Sequence, residues 1–265
     1  MPPIESPLLA RFLGSLGKVQ HHLHTVIVGL SGVEKKTAIK PGDLDINWRA
    51  DDPVGSAREA RHFILRSTLI FLAEELNEYA KGVLNYRTLA GGKADIPQKR
   101  ADRVRSLANP YQIDPTYLAV APVIVSQWRN RIVHRDSNSE IHKAEERLLL
   151  ENKQSIHDRY KHIDVARLLH DFRSDNPTLK ETTVLLAMSI NFVTKVDSTL
   201  PYPASAADVR RWLIVDNHWE KILELERASA RGGHTDPRSR GKNYLITKSP
   251  RLADAYYRLG ASDEI

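Results

Sequence analysis

Arg129, Asn130 and His134 are the side chains of this sequence best suited to chemistry on a phosphodiester. Histidine titrates near neutral pH, so it can serve as a general acid or base. Arginine stays charged and presents a planar set of donors to phosphate oxygens. Because RNA carries its own nucleophile, the 2′-hydroxyl, these groups could cleave it without a metal ion. The products would be a 2′,3′-cyclic phosphate and a 5′-hydroxyl.

The spacing of the three residues predicts how they lie on a helix. Asn130 and His134 are four residues apart and are therefore neighbours on one helix face. The amide is expected to orient the imidazole or to bond the substrate. Arg129 lies five residues before His134 and points away from it on a straight helix. It needs its own length, a frayed last turn or a second subunit to reach the same phosphate, which favours a site made by two chains.

The spacing alone does not single out this pair. Four Arg–His pairs in the chain have four to six residues between them. A motif this short is expected to occur by chance. Only Arg129/His134 has a polar residue after the arginine and stands at the end of a long apolar helix. In the alternative, purely structural interpretation, the cationic side chains in the last turns of this helix complement the negative end of the helix dipole. Both interpretations stay open, and we favour the functional one.

The stretch from Arg129 to His134, RNRIVH, resembles the R-x(4–6)-H motif of the HEPN superfamily of helical ribonuclease and nucleotide-binding domains. Asn, Asp or His commonly follows the arginine of that motif, as Asn130 does here. The resemblance implies a small helical bundle that forms a homodimer in which two motifs face each other. It also implies a role in toxin–antitoxin or anti-phage defence, with an antitoxin or another defence-system protein as partner. One family variant has Tyr two residues past the histidine, where this chain has Asp136.

Further residues are candidates for RNA contacts or for support of the site. Secondary phosphate contacts are expected from Arg131, Arg135, Lys99, Arg100 and Arg103. For the basic run after Pro97, solvated helix surface is the alternative. Glu74 and Glu75 lie on an earlier helix, where a carboxylate could orient His134 or pair with Arg129. Glu75 is our candidate for that support.

No metal ion and no cofactor is expected at this site. The chain has no cysteine, which excludes thiolate ligands, disulfides and a Cys nucleophile. His21 and His22 have no carboxylate nearby in sequence and point about 100° apart on a helix, so we interpret them as a chance cluster. His157 and His162 have poor helical spacing for a shared ion.

Composition limits the class of protein. The 265 residues are 41% hydrophobic, which is enough for one large domain or a helical core with an appendage. A net charge of +6 and a pI of about 9.4 favour a polyanionic partner, here RNA. No apolar run is long enough to span a bilayer, and the first residues lack the pattern of a signal peptide. We therefore expect a cytoplasmic protein with no membrane partner.

Hydrophobic periodicity predicts an all-α fold, a HEPN-like up-down helical bundle of seven to nine helices with N-terminal and C-terminal helical extensions. We expect an N-terminal helix and loop over residues 1–55, the bundle core over 56–200, and a C-terminal helix with a basic tail over 201–265. Ser56 with Glu59 has the form of a capping box that starts a helix to about Leu89. The segment 243–247 is a candidate short strand.

The helix that carries the motif is predicted to begin after Asp114-Pro115. Its middle, Leu118 to Val125, is apolar on almost every side, which is typical of a helix buried on more than one side. Pro122 is expected either to kink this helix or to delay its start. The sequence therefore predicts a metal-independent endoribonuclease. The alternative is a non-catalytic helical module that binds nucleotide, RNA or a protein partner.

Overall fold

The computed structural model describes residues 6–43, 51–90, 96–108, 113–134, 137, 139–200, 203–232, 236 and 238–261. These residues form twelve α-helices and one 3-10 helix, and no β-strand occurs among them, which confirms the all-α fold class. The helices are α1 (Pro7–Glu34), α2 (Pro53–Leu89), α3 (Arg100–Ala108), the 3-10 helix (Thr116–Ala119), α4 (Val120–Val133), α5 (Lys143–Glu151), α6 (Lys153–Arg159), α7 (Val165–Arg173), α8 (Leu179–Ser198), α9 (Ala206–Val215), α10 (Trp219–Arg231), α11 (Arg238–Lys248) and α12 (Pro250–Leu259). The narrower expectation of a HEPN-like bundle stays a prediction.

The chain packs into two compact units, each built from segments that are distant in sequence. The motif unit comprises Gly14–Glu75 and Asp114–Ile190, and the terminal unit comprises Met1–Leu13, Leu76–Ile113 and Asn191–Ile265. Helices α1, α2 and α8 contribute residues to both. This division differs from the expected segments 1–55, 56–200 and 201–265, because a linear reading cannot show which distant segments pack together.

In the motif unit, α4 is buried on nearly every side, as its composition predicts. Every residue from Val120 to Ser126 is buried, and so is Trp128. The chain forms the 3-10 helix first, and α4 begins only at Val120, so that Pro122 falls in its first turn. Pro122 thus delays the helix start, one of its two expected effects. The edge of the Trp128 ring meets the ring of Phe172 on α7 at a centroid distance of 5.6 Å.

Helix α2 begins at Pro53, three residues earlier than expected. The Asp52 carboxylate accepts the N–H of Gly55 at 3.0 Å, and the Asp52 carbonyl accepts the N–H of Ser56 at 2.9 Å. The capping box expected at Ser56 is therefore wrong. Asp before the helix and Pro in its first turn supply the start signal instead, because Asp satisfies a free N–H and Pro has none.

Other elements show where periodicity falls short. The described residues form twelve α-helices, more than the seven to nine expected, and α5 and α6 are separated by Asn152 alone. The candidate strand 243–247 is wrong, because these residues lie inside α11. A five-residue run cannot be told from a helical turn by its apolar pattern alone. Asp164 caps α7, since its side chain accepts the N–H of Arg167 at 3.1 Å.

The terminal unit has its own aromatic core. The rings of Tyr86 on α2 and Trp212 on α9 stack with their centroids 4.2 Å apart. Phe12 and Tyr79 pack at 5.9 Å between centroids. Across the described ranges, no helix is both long enough and apolar enough to cross a membrane.

Candidate functional site

His134 stands one residue beyond the end of α4. Its backbone is extended, with φ −115° and ψ 99°, while its N–H still donates to the Asn130 carbonyl at 2.9 Å. The residue is exposed. Because His134 has left the helical path, its side-chain direction no longer follows from helical spacing. The imidazole is therefore able to turn back over the last turn of α4.

The imidazole contacts the guanidinium of Arg129. Nη1 of Arg129 lies 3.4 Å from Nε2 of His134. Since a guanidinium has donors only, Nε2 must be the acceptor in this contact, and a neutral imidazole then carries its hydrogen on Nδ1. The two groups that the sequence pairs are thus brought together within one chain. Of the three routes considered for Arg129, the ending of the helix before His134 is the one the structure uses.

Glu74 on α2 holds the other side of the same guanidinium. Nε of Arg129 donates to Oε1 of Glu74 at 3.2 Å. The Arg129 side chain is 14% exposed and that of Glu74 is 39% exposed. The contact joins α2 to the end of α4 and fixes the guanidinium plane beside His134. Of the two glutamates considered, Glu74 pairs with Arg129. Glu75 is half-buried next to it, and its supporting role stays a prediction.

Asn130 is connected to Gln127. The Asn130 amide donates to Oε1 of Gln127 at 3.3 Å, and the Gln127 amide donates to the carbonyl of Glu140 at 3.1 Å. These bonds tie the last turns of α4 to the segment that follows His134. The contact from Asn130 to His134 is made by the backbone carbonyl. The expected orienting role of the Asn130 amide stays a prediction.

Arg131 is engaged elsewhere. It lies about 200° around the helix from Arg129. Its guanidinium donates to the carbonyl of Arg173 at 2.7 Å and to that of Ser139 at 3.2 Å. The same group lies over the Phe172 ring, 5.3 Å from the centroid. In this structure Arg131 fastens the end of α4 to the end of α7, and its expected phosphate contact stays a prediction.

Asp175 joins three elements behind the motif. One of its carboxylate oxygens accepts the Trp128 indole N–H at 3.0 Å, and the other pairs with Arg66 at 2.8 Å. Trp128 is fully buried. The bonds therefore fix the helix just before Arg129. Sequence reasoning missed Asp175, which has no spacing relation to the motif, whereas Gln127 could have been found, three residues before Asn130 on the same face.

Four further residues were expected to contact RNA: Arg135, Lys99, Arg100 and Arg103. Arg135 and Asp136 lie outside the described residues. Lys99, Arg100 and Arg103 belong to the terminal unit, whereas Arg129 and His134 belong to the motif unit.

Arg103 is occupied by local contacts. Its guanidinium donates to the carbonyls of Pro97 and Gln98, each at 2.6 Å, and to the amide oxygen of Asn77. Lys99 is exposed and Arg100 is partly exposed. The phosphate contacts proposed for these three cations stay predictions.

A buried carboxyl pair lies elsewhere in the motif unit. Glu181 is 2% exposed and Asp171 is 6% exposed. The pKa of Glu181 is raised to about 7: burial is the largest cause, the hydrogen bond and negative charge of Asp171 also raise it, and hydrogen bonds from Thr178 lower it. The Glu181 carboxyl therefore holds its proton up to about neutral pH.

Comparison with protein-family models, curated proteins and solved structures finds no match to this chain.

Proposed function

We propose that the protein is a metal-independent endoribonuclease whose catalytic residues are Arg129 and His134, with Asn130 as an orienting residue. One observation carries the proposal: the 3.4 Å contact between Nη1 of Arg129 and Nε2 of His134 at an exposed helix end. It joins a guanidinium to an imidazole, a side-chain type that can act as a general acid or base. RNA cleavage through the 2′-hydroxyl needs proton transfer and stabilisation of negative charge on the phosphate, and these two groups can supply them.

The reaction can be written with these groups alone. Nε2 of His134 takes the proton of the 2′-hydroxyl while the 2′-oxygen attacks phosphorus. The bond from phosphorus to the 5′-oxygen breaks, and the imidazolium returns its proton to that oxygen. Arg129 transfers its Nη donors from the imidazole to the phosphate oxygens as negative charge develops there. Glu74 keeps Nε of Arg129 in place during this exchange.

The homodimer is part of the proposal, and the surface of α2 supports it. Phe63 is 72% exposed, and Phe71, eight residues later on the same helix, is 59% exposed. Val133, next to His134, is 43% exposed. Apolar groups of this size at the surface are typical of protein contacts. A second copy that covered them would bring two Arg129/His134 pairs into one assembly, as the resemblance implies.

The biological role follows from the resemblance. We propose a cytoplasmic toxin or anti-phage effector that acts on RNA and is restrained by an antitoxin or another defence-system protein. The net charge of +6 favours the RNA substrate.

The dimer is tested by sedimentation of the wild type and of Phe71→Asp, which is expected to be a monomer.

The activity is tested with purified protein, single-stranded RNA and excess chelator. Wild type is expected to cleave, and His134→Ala to lose cleavage while it keeps its fold and its oligomeric state. His170→Ala, which removes an exposed histidine on α7 of the same unit, is the matched control and should cleave as wild type does. RNA binding by the wild type without cleavage would overturn the enzyme and favour the non-catalytic module.

A further inference from the structure

His157, Asp158 and His162 form a cluster of metal-ligating side chains near the end of α6. One imidazole nitrogen from each histidine and one carboxylate oxygen of Asp158 all lie within 4.8 Å of one another. The imidazole centroids of the two histidines are 4.8 Å apart. Asp158 and His162 are exposed and His157 is partly exposed, so solvent reaches the cluster.

The backbone explains why helical spacing gives the wrong expectation here. Five residues along a helix would separate His157 and His162 by about 140°. Helix α6 ends at Arg159, and Lys161 and His162 then take left-handed conformations with φ of 51° and 55°. The N–H of His162 donates to the His157 carbonyl at 2.9 Å, a bond typical of a helix that reverses at its C-terminus. This reversal of the chain brings the imidazole of His162 next to that of His157.

The hydrogen bond of His157 prepares it as a ligand. Its Nδ1 lies 3.3 Å from the carbonyl oxygen of Ile163. A carbonyl can only accept, so Nδ1 carries the hydrogen and Nε2 presents a lone pair. Metal-binding histidines are commonly oriented in this way by a backbone carbonyl.

Asp158 has comparable support. Its Oδ1 accepts the side-chain N–H of Gln154 at 2.9 Å, one turn earlier on α6. Such a bond fixes the carboxylate and leaves its second oxygen for an ion. Two imidazoles and one carboxylate are the ligand types of three-residue zinc sites.

We propose that His157, Asp158 and His162 bind one Zn²⁺ ion, with water in the remaining coordination position. Zinc bonds of about 2.0–2.1 Å in a tetrahedral site place ligand atoms roughly 3.3 Å apart. Because the ligand atoms lie within 4.8 Å of one another, side-chain movements of up to about 1.5 Å would bring them to that spacing. Nitrogen ligands favour zinc over magnesium and calcium, which prefer oxygen. The ion would fix the turn between α6 and α7 and is separate from the proposed RNA chemistry.

The surrounding cations limit the affinity. Lys161 lies between the ligands in sequence, and Nζ of Lys180 donates to the His162 carbonyl at 2.8 Å. Both positive charges oppose a divalent cation. We therefore expect a dissociation constant on the order of micromolar, weaker than that of closed structural zinc sites.

Calorimetry with Zn²⁺ on the untagged full chain tests the proposal, with Co²⁺ absorption as a second readout of nitrogen coordination. One ion per chain is expected. His157→Ala and His162→Ala should each weaken Zn²⁺ binding at least about tenfold, and Asp158→Asn should weaken it as well. His22→Ala is the matched control, because His21 and His22 also lie close together, with ring centroids 5.8 Å apart. This variant should leave the affinity for Zn²⁺ unchanged.

Thermal unfolding gives an independent measurement. An ion that binds only the folded chain raises its stability, so Zn²⁺ should raise the Tm of wild type and of His22→Ala but not of His162→Ala. The proposal is overturned by an absence of saturable binding below millimolar Zn²⁺. It is equally overturned if His162→Ala binds as wild type does, or if His22→Ala loses as much affinity as His162→Ala.

Discussion

Nη1 of Arg129 lies 3.4 Å from Nε2 of His134, although five residues along a straight helix would turn these side chains apart. The contact exists because α4 ends at Val133 and His134 continues in an extended conformation. A cation and a proton-exchanging group thus meet at an exposed position within one chain. The site does not depend on a second subunit for this pairing, so the proposed dimer has to be tested on its own.

Glu74 is expected to act as a positioning residue for Arg129. Glu74→Gln removes the charge that holds Nε of Arg129, and a partly exposed ion pair of this kind is worth about 1 kcal/mol. If that energy is lost from the transition state, cleavage slows about fivefold. Single-turnover cleavage of RNA measures this directly, and thermal unfolding should show the fold intact.

Two other glutamates on α2, Glu59 and Glu75, serve as comparisons for that experiment. Glu59→Gln changes an exposed carboxylate on the same helix and should leave the cleavage rate unchanged. Glu75→Gln tests the alternative support residue. A larger loss in Glu75→Gln than in Glu74→Gln would show that the Arg129–Glu74 pair is not the contact that matters.

Arg131 is expected to matter for stability. Arg131→Ala removes donors to two backbone carbonyls and a cation–π contact with Phe172, at a cost of about 1–3 kcal/mol. The Tm should fall by several degrees. Arg147→Ala is the control, since the Arg147 side chain is 81% exposed and pairs with Glu151 on the same helix, and the Tm of this variant should stay near that of wild type. An unchanged Tm in Arg131→Ala would contradict the structural role.

Glu181 is expected to make stability fall as pH rises. Because its pKa is raised from 4.5 to about 7 in the folded chain, the folded state holds a proton that the unfolded state has lost. The contribution is complete below about pH 4.5 and is lost as pH rises through 7. A shift of this size corresponds to at most about 3 kcal/mol.

Denaturant unfolding between pH 5 and 8 measures this effect. Glu181→Gln keeps a neutral side chain at all these pH values and should flatten the decline. Glu151→Gln, an exposed change on α5, should leave it as in wild type. The same slope in Glu181→Gln and wild type would mean that another group produces the pH dependence.

The all-α class and the buried α4 could be predicted from sequence because both follow from residue type and period. Burial of the stretch Val120–Ser126 needs only an apolar run. Helix starts were less certain, since Asp52 and Ser56 are both good caps and only packing decides between them. Phe63 is exposed on α2 for a related reason: periodicity predicts which face of a helix a residue lies on, but not what covers that face.

For the candidate site, the sequence predicted the pair but not its neighbours. Asn130 was placed beside His134 by helical spacing, whereas the amide bonds Gln127 because the helix ends first. Asp175 could not have been found, since its link to Trp128 spans 47 residues and depends on how α7 and α8 are connected. His157 and His162 were discounted on helical spacing, which the two left-handed residues at the end of α6 make irrelevant.

Cleavage of a defined RNA in chelator, with the new ends identified by mass spectrometry, tests the central claim most directly. Wild type is expected to leave 2′,3′-cyclic phosphate and 5′-hydroxyl ends. A single 2′-deoxy substitution at the scissile nucleotide should block cleavage there, and His134→Ala should abolish it everywhere. Cleavage that persists at the deoxy position, or that His134→Ala retains, would contradict the account.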